Sequence, residues 1–255
     1  MRYRHILLTG GSGKLGKAIR SSGSFPTLIA PSHTALDLAK LSTIECFFKA
    51  NRVDAVIHCA AMARMAECER DGVGAIVTNI VGTSLLVQEV MHNERRTGKP
   101  IRFIYISTDG VYAGTEGHYK ENSPTIPYNR YGWTKLGGEC AVRLLKDHCI
   151  VRTGFFDPDH IPFDDSAFDA YSSKVEIGYL ARAIAVMLES NFVGVINFGG
   201  ERMSDYARYS TYKPNLKRCR LKDIVRRVSF PMAKDASLDS SLLKKIEKRA
   251  LKRHI

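Results

Sequence analysis

The sequence predicts a doubly wound α/β protein built on a parallel sheet. Three observations carry this. Short apolar runs alternate with stretches of helical periodicity. The runs are apolar throughout instead of alternating with polar residues. The first run ends in a glycine-rich turn that opens a helix. A strand apolar on both faces belongs to a sheet covered on both faces, and strand–helix alternation makes that sheet parallel.

The elements follow in order. Residues 5–9 read as a buried strand and 15–20 as the helix after the glycine turn. Residues 25–30 form a second strand, 44–51 a helix and 53–60 a third strand. Residues 74–92 are apolar at 3.6 spacing and make a long helix. Residues 101–107 are a strand rich in β-branched and aromatic side chains. Then come a helix over 131–147, a strand over 149–152, a helix over 175–189 and a last strand over 193–198. Residues 157–173 are rich in Pro, Asp and Phe without periodicity, so they read as a loop over the active site, outside the sheet. Residues 1–155 read as a first domain. Residues 156–255 read as a smaller substrate-binding part whose segment 175–198 returns to complete the sheet.

The 255 residues, 44% hydrophobic and 25% charged, suit a folded chain able to bury a sizeable core. No run of about 18 uninterrupted apolar residues exists, so no membrane span is expected. Six cysteines show neither C-x-x-C nor paired metal spacing, which predicts no metal and a reducing cytoplasm. Net charge is +12, and residues 213–255 hold 14 Lys+Arg against 4 Asp+Glu, a net of +10. Such a basic segment suits phosphorylated small molecules or a solvated helix face, with Leu243, Ile246, Ala250 and Leu251 at helical spacing among the lysines. Zinc-finger and RNA-recognition signatures are absent, which argues against nucleic acid.

The first strand runs into Thr9-Gly10-Gly11-Ser12-Gly13-Lys14-Leu15-Gly16. Glycines 10, 13 and 16 make G-x-x-G-x-x-G between strand and helix. Glycine permits the tight turn and close approach of a pyrophosphate, and the helix N-terminus offers free amides to it. This predicts a dinucleotide. The second strand ends in Ala30-Pro31-Ser32-His33, without the carboxylate that would hold ribose hydroxyls. Ser32, His33 and Lys14 are placed to meet a 2′-phosphate, so NADP(H) is weakly preferred over NAD(H).

Tyr131-Gly132-Trp133-Thr134-Lys135 is Y-x-x-x-K, with Tyr131 and Lys135 on one helix face. An ammonium near the phenol favours phenolate, so the spacing predicts a Tyr131 pKa below its ordinary ~10. Ser107-Thr108-Asp109 closes a strand, where the active sites of open α/β sheets gather. A hydroxyl there can bond the same substrate oxygen. Arg64 reads as a solvated helix residue or a phosphate ligand, His58 as a core histidine and Glu139 as a surface or interface residue. Arg152 reads equally as a site residue or an ion-pair partner.

Together these residues resemble an extended short-chain dehydrogenase/reductase with a Rossmann fold, and more narrowly the dTDP-4-dehydrorhamnose reductase branch. The likeness rests on residues 6–16, Val56-Ile57-His58-Cys59-Ala60-Ala61, Thr78-Asn79-Ile80-Val81-Gly82-Thr83, Ser107–Tyr112 and Tyr128–Glu139. It continues through Val151-Arg152-Thr153 and Asp235-Ala236-Ser237-Leu238-Asp239.

The resemblance implies Tyr131 as proton donor, Lys135 as its tuner and ribose ligand, and Thr108 as the group orienting the carbonyl. It implies that Asn79 supports Lys135 and that Asp37 lies near the adenine. The implied cofactor-binding set is Gly10, Ser12, Gly13, Lys14, Leu15, Gly16, Ser32, Asp37, Leu38, Cys59, Ala60, Ala61, Asn79 and Ser107, with Tyr131 and Lys135. Gly110 stands where related dehydratases carry a second carboxylate, which points to reduction of a keto group on a sugar nucleotide. Alternatives are an epimerase on the same scaffold and a non-catalytic subunit like the regulatory subunit of methionine adenosyltransferase. Two departures bear on the substrate. The reductase branch carries Ala-Tyr-Thr and an Asp where this chain reads residues 61–67, and segment 156–174 is short. The oligomeric state stays open, a homodimer among the candidates.

Overall fold

The computed structural model describes residues 2–251, with side chains through residue 248. Strand β1 (Ile6–Thr9) feeds helix α1 (Lys14–Ser21), followed by β2 (Leu28–Ile29), α2 (Leu41–Ala50) and β3 (Ala55–His58). Helices α3 (Met65–Arg70) and α4 (Gly72–Ile76) lead through a π-helical turn (Val77–Val81) into α5 (Gly82–Thr97). Then come β4 (Arg102–Thr108), a 3₁₀ turn (Asp109–Val111), α6 (Arg130–Val142), β5 (His148–Thr153) and β6 (Phe155–Phe156). The short strands β7 (Asp165–Ala167), β8 (Tyr171–Ser172) and β9 (Val175–Glu176) precede α7 (Ile177–Glu189) and β10 (Gly194–Phe198). The chain ends with β11 (Met203–Ser204), α8 (Asp205–Ser210), β12 (Lys217–Cys219), α9 (Leu221–Val228) and α10 (Ser241–Leu251).

The central sheet has six parallel strands in the order β10-β5-β4-β3-β1-β2. Its continuous apolar strands reflect two buried faces. Ile6, Leu8, Ile57, Ile104 and Val151 face the layer of α1, α7 and α10. Leu7, Val56, Phe103, Tyr105 and Ile150 face the layer of α2, α5 and α6. Each large apolar side chain so buried contributes roughly 1.5–3 kcal/mol. The chain leaves β1 first toward β2 and then returns past β1 to β3, so the strand order reverses between β1 and β3. Ligands of open α/β sheets bind at the carboxyl ends of strands beside such a switch.

Several elements differ from the sequence reading. The second strand is two residues rather than 25–30, because it is an edge strand paired only with Ile6 and Leu7. Helix α6 stops at Val142, and turns rather than helix carry the chain to His148. Residues 175 and 176 pair with β6 as β9 before α7 begins. The stretch 157–173 is not structureless. Strand β7 pairs in parallel with β12, and β8 pairs antiparallel with β11, making two small ribbons outside the main sheet. Strands this short carry no readable period.

The long helix runs unbroken from Gly72 to Thr97, 26 residues, and is long and apolar enough to cross a membrane by length and composition. It packs as a layer of the core, with Leu86, Val87 and Val90 against the sheet. At the C-terminus Leu243 is buried as expected, and Lys244 and Lys245 are exposed. The side chains of Ala250 and Leu251, and all of residues 252–255, lie outside the described residues. No residue of the basic helix α9 is buried, and its Arg227 pairs with Asp165 on β7.

Candidate active site

The glycine turn is built by close approach. Gly10 has φ +70, and a Cβ there would meet Ala60 N, at the end of β3, at 2.6 Å. A Cβ on Gly16 would lie 2.2 Å from Gly10 O. The turn is closed by Gly13 N donating to Gly10 O at 3.0 Å. Helix α1 has no side-chain cap and no acidic residue in its first turn, so its N-terminal amides and partial positive charge stay available to an anion.

Beside the turn lies a cavity of about 150 Å³. Of the expected cofactor residues, Gly10, Ser12, Asp37, Leu38 and Ala60 line it. Thr9, Gly11, Pro31, Leu36, Ala39 and Thr78 line it as well, and only the fold brings these to one place. His33 lines the rim with its side chain 85% exposed, 3.6 Å from Asp37. The Asp37 carboxyl is held below the usual carboxylate range, chiefly by accepting from Ala39 N, with Lys40 and His33 adding to this.

The remaining expected residues fall elsewhere. Gly13 and Lys14 are exposed at the start of α1, whereas the Leu15 side chain is buried in the core. The Ser32 hydroxyl is exposed and engaged with Thr34. Cys59 and Ala61 are half-buried at the end of β3. Burial pushes the Cys59 thiol up to about 12. Ser107 gives its hydroxyl to Glu139.

Thr108 and Tyr131 meet at the carboxyl end of β4, and Lys135 lies one helical turn beyond Tyr131 with its Nζ over the Tyr105 ring. Asn129 caps α6 by accepting from Gly132 N at 2.9 Å, which places Tyr131 in the first turn. Gly132 lets that turn press onto the 3₁₀ turn after Thr108, since a Cβ there would lie 2.2 Å from Gly110 O. Thr108 Oγ1 accepts from Gly110 N and donates to Asp109 Oδ1, both at 3.1 Å.

The expected lowering of the Tyr131 pKa is reversed. Burial pushes the phenol well above its ordinary range, the Asp109 carboxylate adds to this, and only hydrogen bonding to Thr108 opposes it. The lysine does not offset them because its Nζ lies 4.0 Å from the centre of the Tyr105 ring. Burial pulls Lys135 itself down to about 7, against the pull of Cys59 and Glu139. Asn79 sits inside the π-helical turn, wholly buried. Its amide bonds Met62 N, Met62 O and Thr134 Oγ1, tying the loop after β3 to α6 next to Lys135.

One reading of a single residue changes, and two others are met. Glu139 is not a surface group: it is fully buried and paired with Arg152 at 2.7 Å, which also makes Arg152 an ion-pair partner. His58 is a core histidine between Thr9 and Thr83, held neutral by burial with its pKa down to about 3. Asp109 has its pKa raised by burial, with Lys174 acting against this. A second cavity, of about 740 Å³, is lined by Phe156, Lys174, Arg208, Tyr212 and Lys244 among others, and shares no residue with Thr108, Tyr131 or Lys135.

A six-stranded parallel sheet with a glycine turn at its switch point and Y-x-x-x-K beside a hydroxyl-tipped strand defines a Rossmann-type protein resembling the extended short-chain dehydrogenases/reductases. The chain belongs to the RmlD substrate binding domain family, whose model matches residues 4–157. A dTDP-4-keto-6-deoxy-D-glucose reductase of Streptomyces niveus is 31% identical over 60% of this chain and 53% of its own length. The methionine adenosyltransferase 2 subunit beta of Xenopus tropicalis is 31% identical over 68% of this chain and 53% of its own. The chain thus spans about half the length of the curated relatives it matches. A solved structure titled a hypothetical dTDP-4-dehydrorhamnose reductase, from Sulfolobus tokodaii, superposes with a TM-score of 0.81 at 30% identity, covering 95% of this chain and 94% of that one.

Proposed function

We propose that this chain is an NAD(P)H-dependent reductase of a keto group on a nucleotide-activated sugar. The observation that carries the reading is the approach of Tyr131 to Thr108 at the end of β4, one helical turn from the buried Lys135 and at the same end of the parallel sheet as the glycine cradle. That cradle fits a dinucleotide: its turn excludes any Cβ at Gly10, and an uncapped helix N-terminus faces the same side. Gly10, Ser12, Gly13, Lys14 and the first-turn amides of Leu15 and Gly16 would hold the pyrophosphate. Asp37 and Leu38 would meet the adenosine end, with Ser32 and His33 beside it. Cys59, Ala60, Ala61, Asn79 and Ser107 would flank the nicotinamide end. With no carboxylate closing β2, NADP(H) is the preferred form.

When bound, the nicotinamide supplies the hydride for the carbonyl carbon. The chain's own residues handle the oxygen. Thr108 orients the carbonyl by a hydrogen bond, and Tyr131 donates its proton to the developing alkoxide. Burial and Asp109 keep the phenol protonated, the form a proton donor needs, and leave it a weaker acid than the spacing predicts. Lys135 would bind the nicotinamide ribose. Residues 1–155 act as the dinucleotide domain, and 156–255 supply the substrate-binding part together with the segment 175–198 that completes the sheet. Oxidation of NADPH and NADH with a panel of 4-keto-6-deoxy sugar nucleotides tests the reading.

A second reading has one specific observation behind it. Likeness to the methionine adenosyltransferase subunit beta extends over more of the chain than likeness to the Streptomyces niveus reductase. On that reading the cofactor cradle is retained, turnover is absent, and the chain purifies with a larger enzyme.

A further inference from the structure

Thr108 Oγ1 is held between two neighbours. Gly110 N donates to it and Asp109 Oδ1 accepts from it, both at 3.1 Å. A hydroxyl owns one proton and two lone pairs, and an ionised carboxylate can only accept. Gly110 N occupies one lone pair whatever the state of Asp109. An ionised Asp109 takes the Thr108 proton and leaves a single lone pair facing the site. A ketone oxygen carries no proton and finds no donor there. A protonated Asp109 reverses the bond. It donates into the second lone pair of Thr108, and the Thr108 proton is then free for the ketone.

Resting on the reductase reading for the role of Thr108, we propose that Asp109 is the positioning residue that sets the donor sense of Thr108. As a neutral acid it frees the hydroxyl to hold the ketone; as a carboxylate it makes the hydroxyl an acceptor for the alcohol. Reduction and oxidation thus use opposite protonation states of one side chain. Its surroundings suit a carboxyl that changes state. Between β5 and β6, a Cβ on Gly154 would lie 2.5 Å from Asp109 Oδ2 and 3.0 Å from Lys174 Cγ, so the carboxyl is packed against backbone there. Lys174, ahead of β9, has its Nζ engaged with both oxygens of Asp205 on α8 and with the Tyr209 hydroxyl, each at 3.0 Å. Among the described residues Asp109 has no ion pair of its own. Tyr128, ahead of α6, and Tyr131 in its first turn face it as protonated phenols, both pushed up by burial and by the Asp109 charge. Burial raises the Asp109 carboxyl above its ordinary range, with Lys174 and the Thr108 hydroxyl acting against this and Asp205 adding to it.

The test is the pH dependence of turnover in wild-type protein, Asp109→Asn and Thr108→Val. In the wild type, ketone reduction falls about tenfold per pH unit above the Asp109 pKa, and alcohol oxidation falls likewise below it. Asn presents an N–H donor at every pH, so D109N loses the reduction limb and keeps only what Lys135, with its pKa of about 7, imposes. The Asp109 charge also acts on Tyr131, and Thr108→Val separates the two routes. It is slow and without the limb if the route runs through the hydroxyl, and keeps the limb if the charge acts on the phenol. NMR of carboxyl-labelled aspartate, with Asp109 assigned through its backbone, needs no turnover and stands should D109N not fold. Thr108→Val takes a donor from the carboxylate and raises the Asp109 pKa by about one unit. That arm separates failure of this proposal from failure of the reductase reading. Equal Asp109 titrations in wild type and Thr108→Val overturn the proposal. So does a reduction limb that persists unchanged in either variant, or a D109N loss of the same factor at every pH.

Discussion

The Lys135 ammonium sits 4.0 Å from the centre of the Tyr105 ring, buried between α6 and the strand that ends in Thr108. Its pKa there is about 7, against 10.5 for a free lysine. Between those values the unfolded chain binds a proton that the folded chain releases. Stability contributed by this group therefore rises as pH climbs through that window, by at most about 5 kcal/mol. Lys135→Met removes the buried charge. It is expected to raise the melting temperature at pH 7, to flatten the rise in stability toward pH 10, and to cost turnover on the order of 10²–10⁴. Thermal denaturation across that range checks the first two.

His58 gives the opposite limb. It is fully buried, and its pKa falls from 6.5 to about 3. Below pH 6.5 the unfolded chain takes up a proton that the folded chain refuses. Stability is therefore lost progressively as pH falls from 6.5 toward 3, by at most about 5 kcal/mol from this group. His58→Gln keeps a hydrogen-bonding side chain between Thr9 and Thr83 and should remove that part of the acid loss. Urea denaturation of both proteins at pH 7 and pH 4.5 measures it.

The glycine turn predicts a graded series. Gly16→Ala forces a Cβ to 2.2 Å from Gly10 O, and Gly10→Ala meets Ala60 at 2.6 Å with φ at +70. Gly13→Ala meets Gly10 O at 3.3 Å, which small shifts relieve. NADPH affinity, read by fluorescence titration, should fall more than tenfold in the first two and much less in the third. Equal losses in all three would contradict the cradle.

Gly132 is predicted to matter although it carries no chemistry. Its Cβ would sit 2.2 Å from Gly110 O, so Gly132→Ala must push the first turn of α6 away from the Thr108 turn. Displacing Tyr131 from Thr108 by an ångström should cost about 10²-fold in kcat, with NADPH binding kept. Steady-state kinetics and cofactor titration separate the two effects.

The sheet was legible because its strands are apolar on both faces, and the cradle because Gly10, Gly13 and Gly16 fall between a strand and a helix. Tyr131 and Lys135 were legible by spacing, but their electrostatics were not. Helical spacing sets which face a residue shares; it does not say that the lysine turns onto Tyr105 while Asp109 acts on the phenol. Glu139 looked like a surface residue because its partner Arg152 is remote in sequence until β5 folds beside α6. The cavity residues Thr9, Pro31, Leu36 and Thr78 carry no motif and meet only through the reversal of strand order at β1. Strands β7, β8 and β9 are too short to show a period, and the π-helical turn that holds Asn79 has no compositional mark.

The most direct test of the central claim is NADPH and NADH oxidation by wild-type protein and Tyr131→Phe with a dTDP-4-keto-6-deoxy sugar. The account predicts turnover by the wild type, faster with NADPH, and its loss by at least about 10²-fold in Tyr131→Phe with cofactor affinity unchanged. Equal turnover in both proteins, or none in the wild type across the sugar nucleotides tried while the cofactor binds, would contradict it.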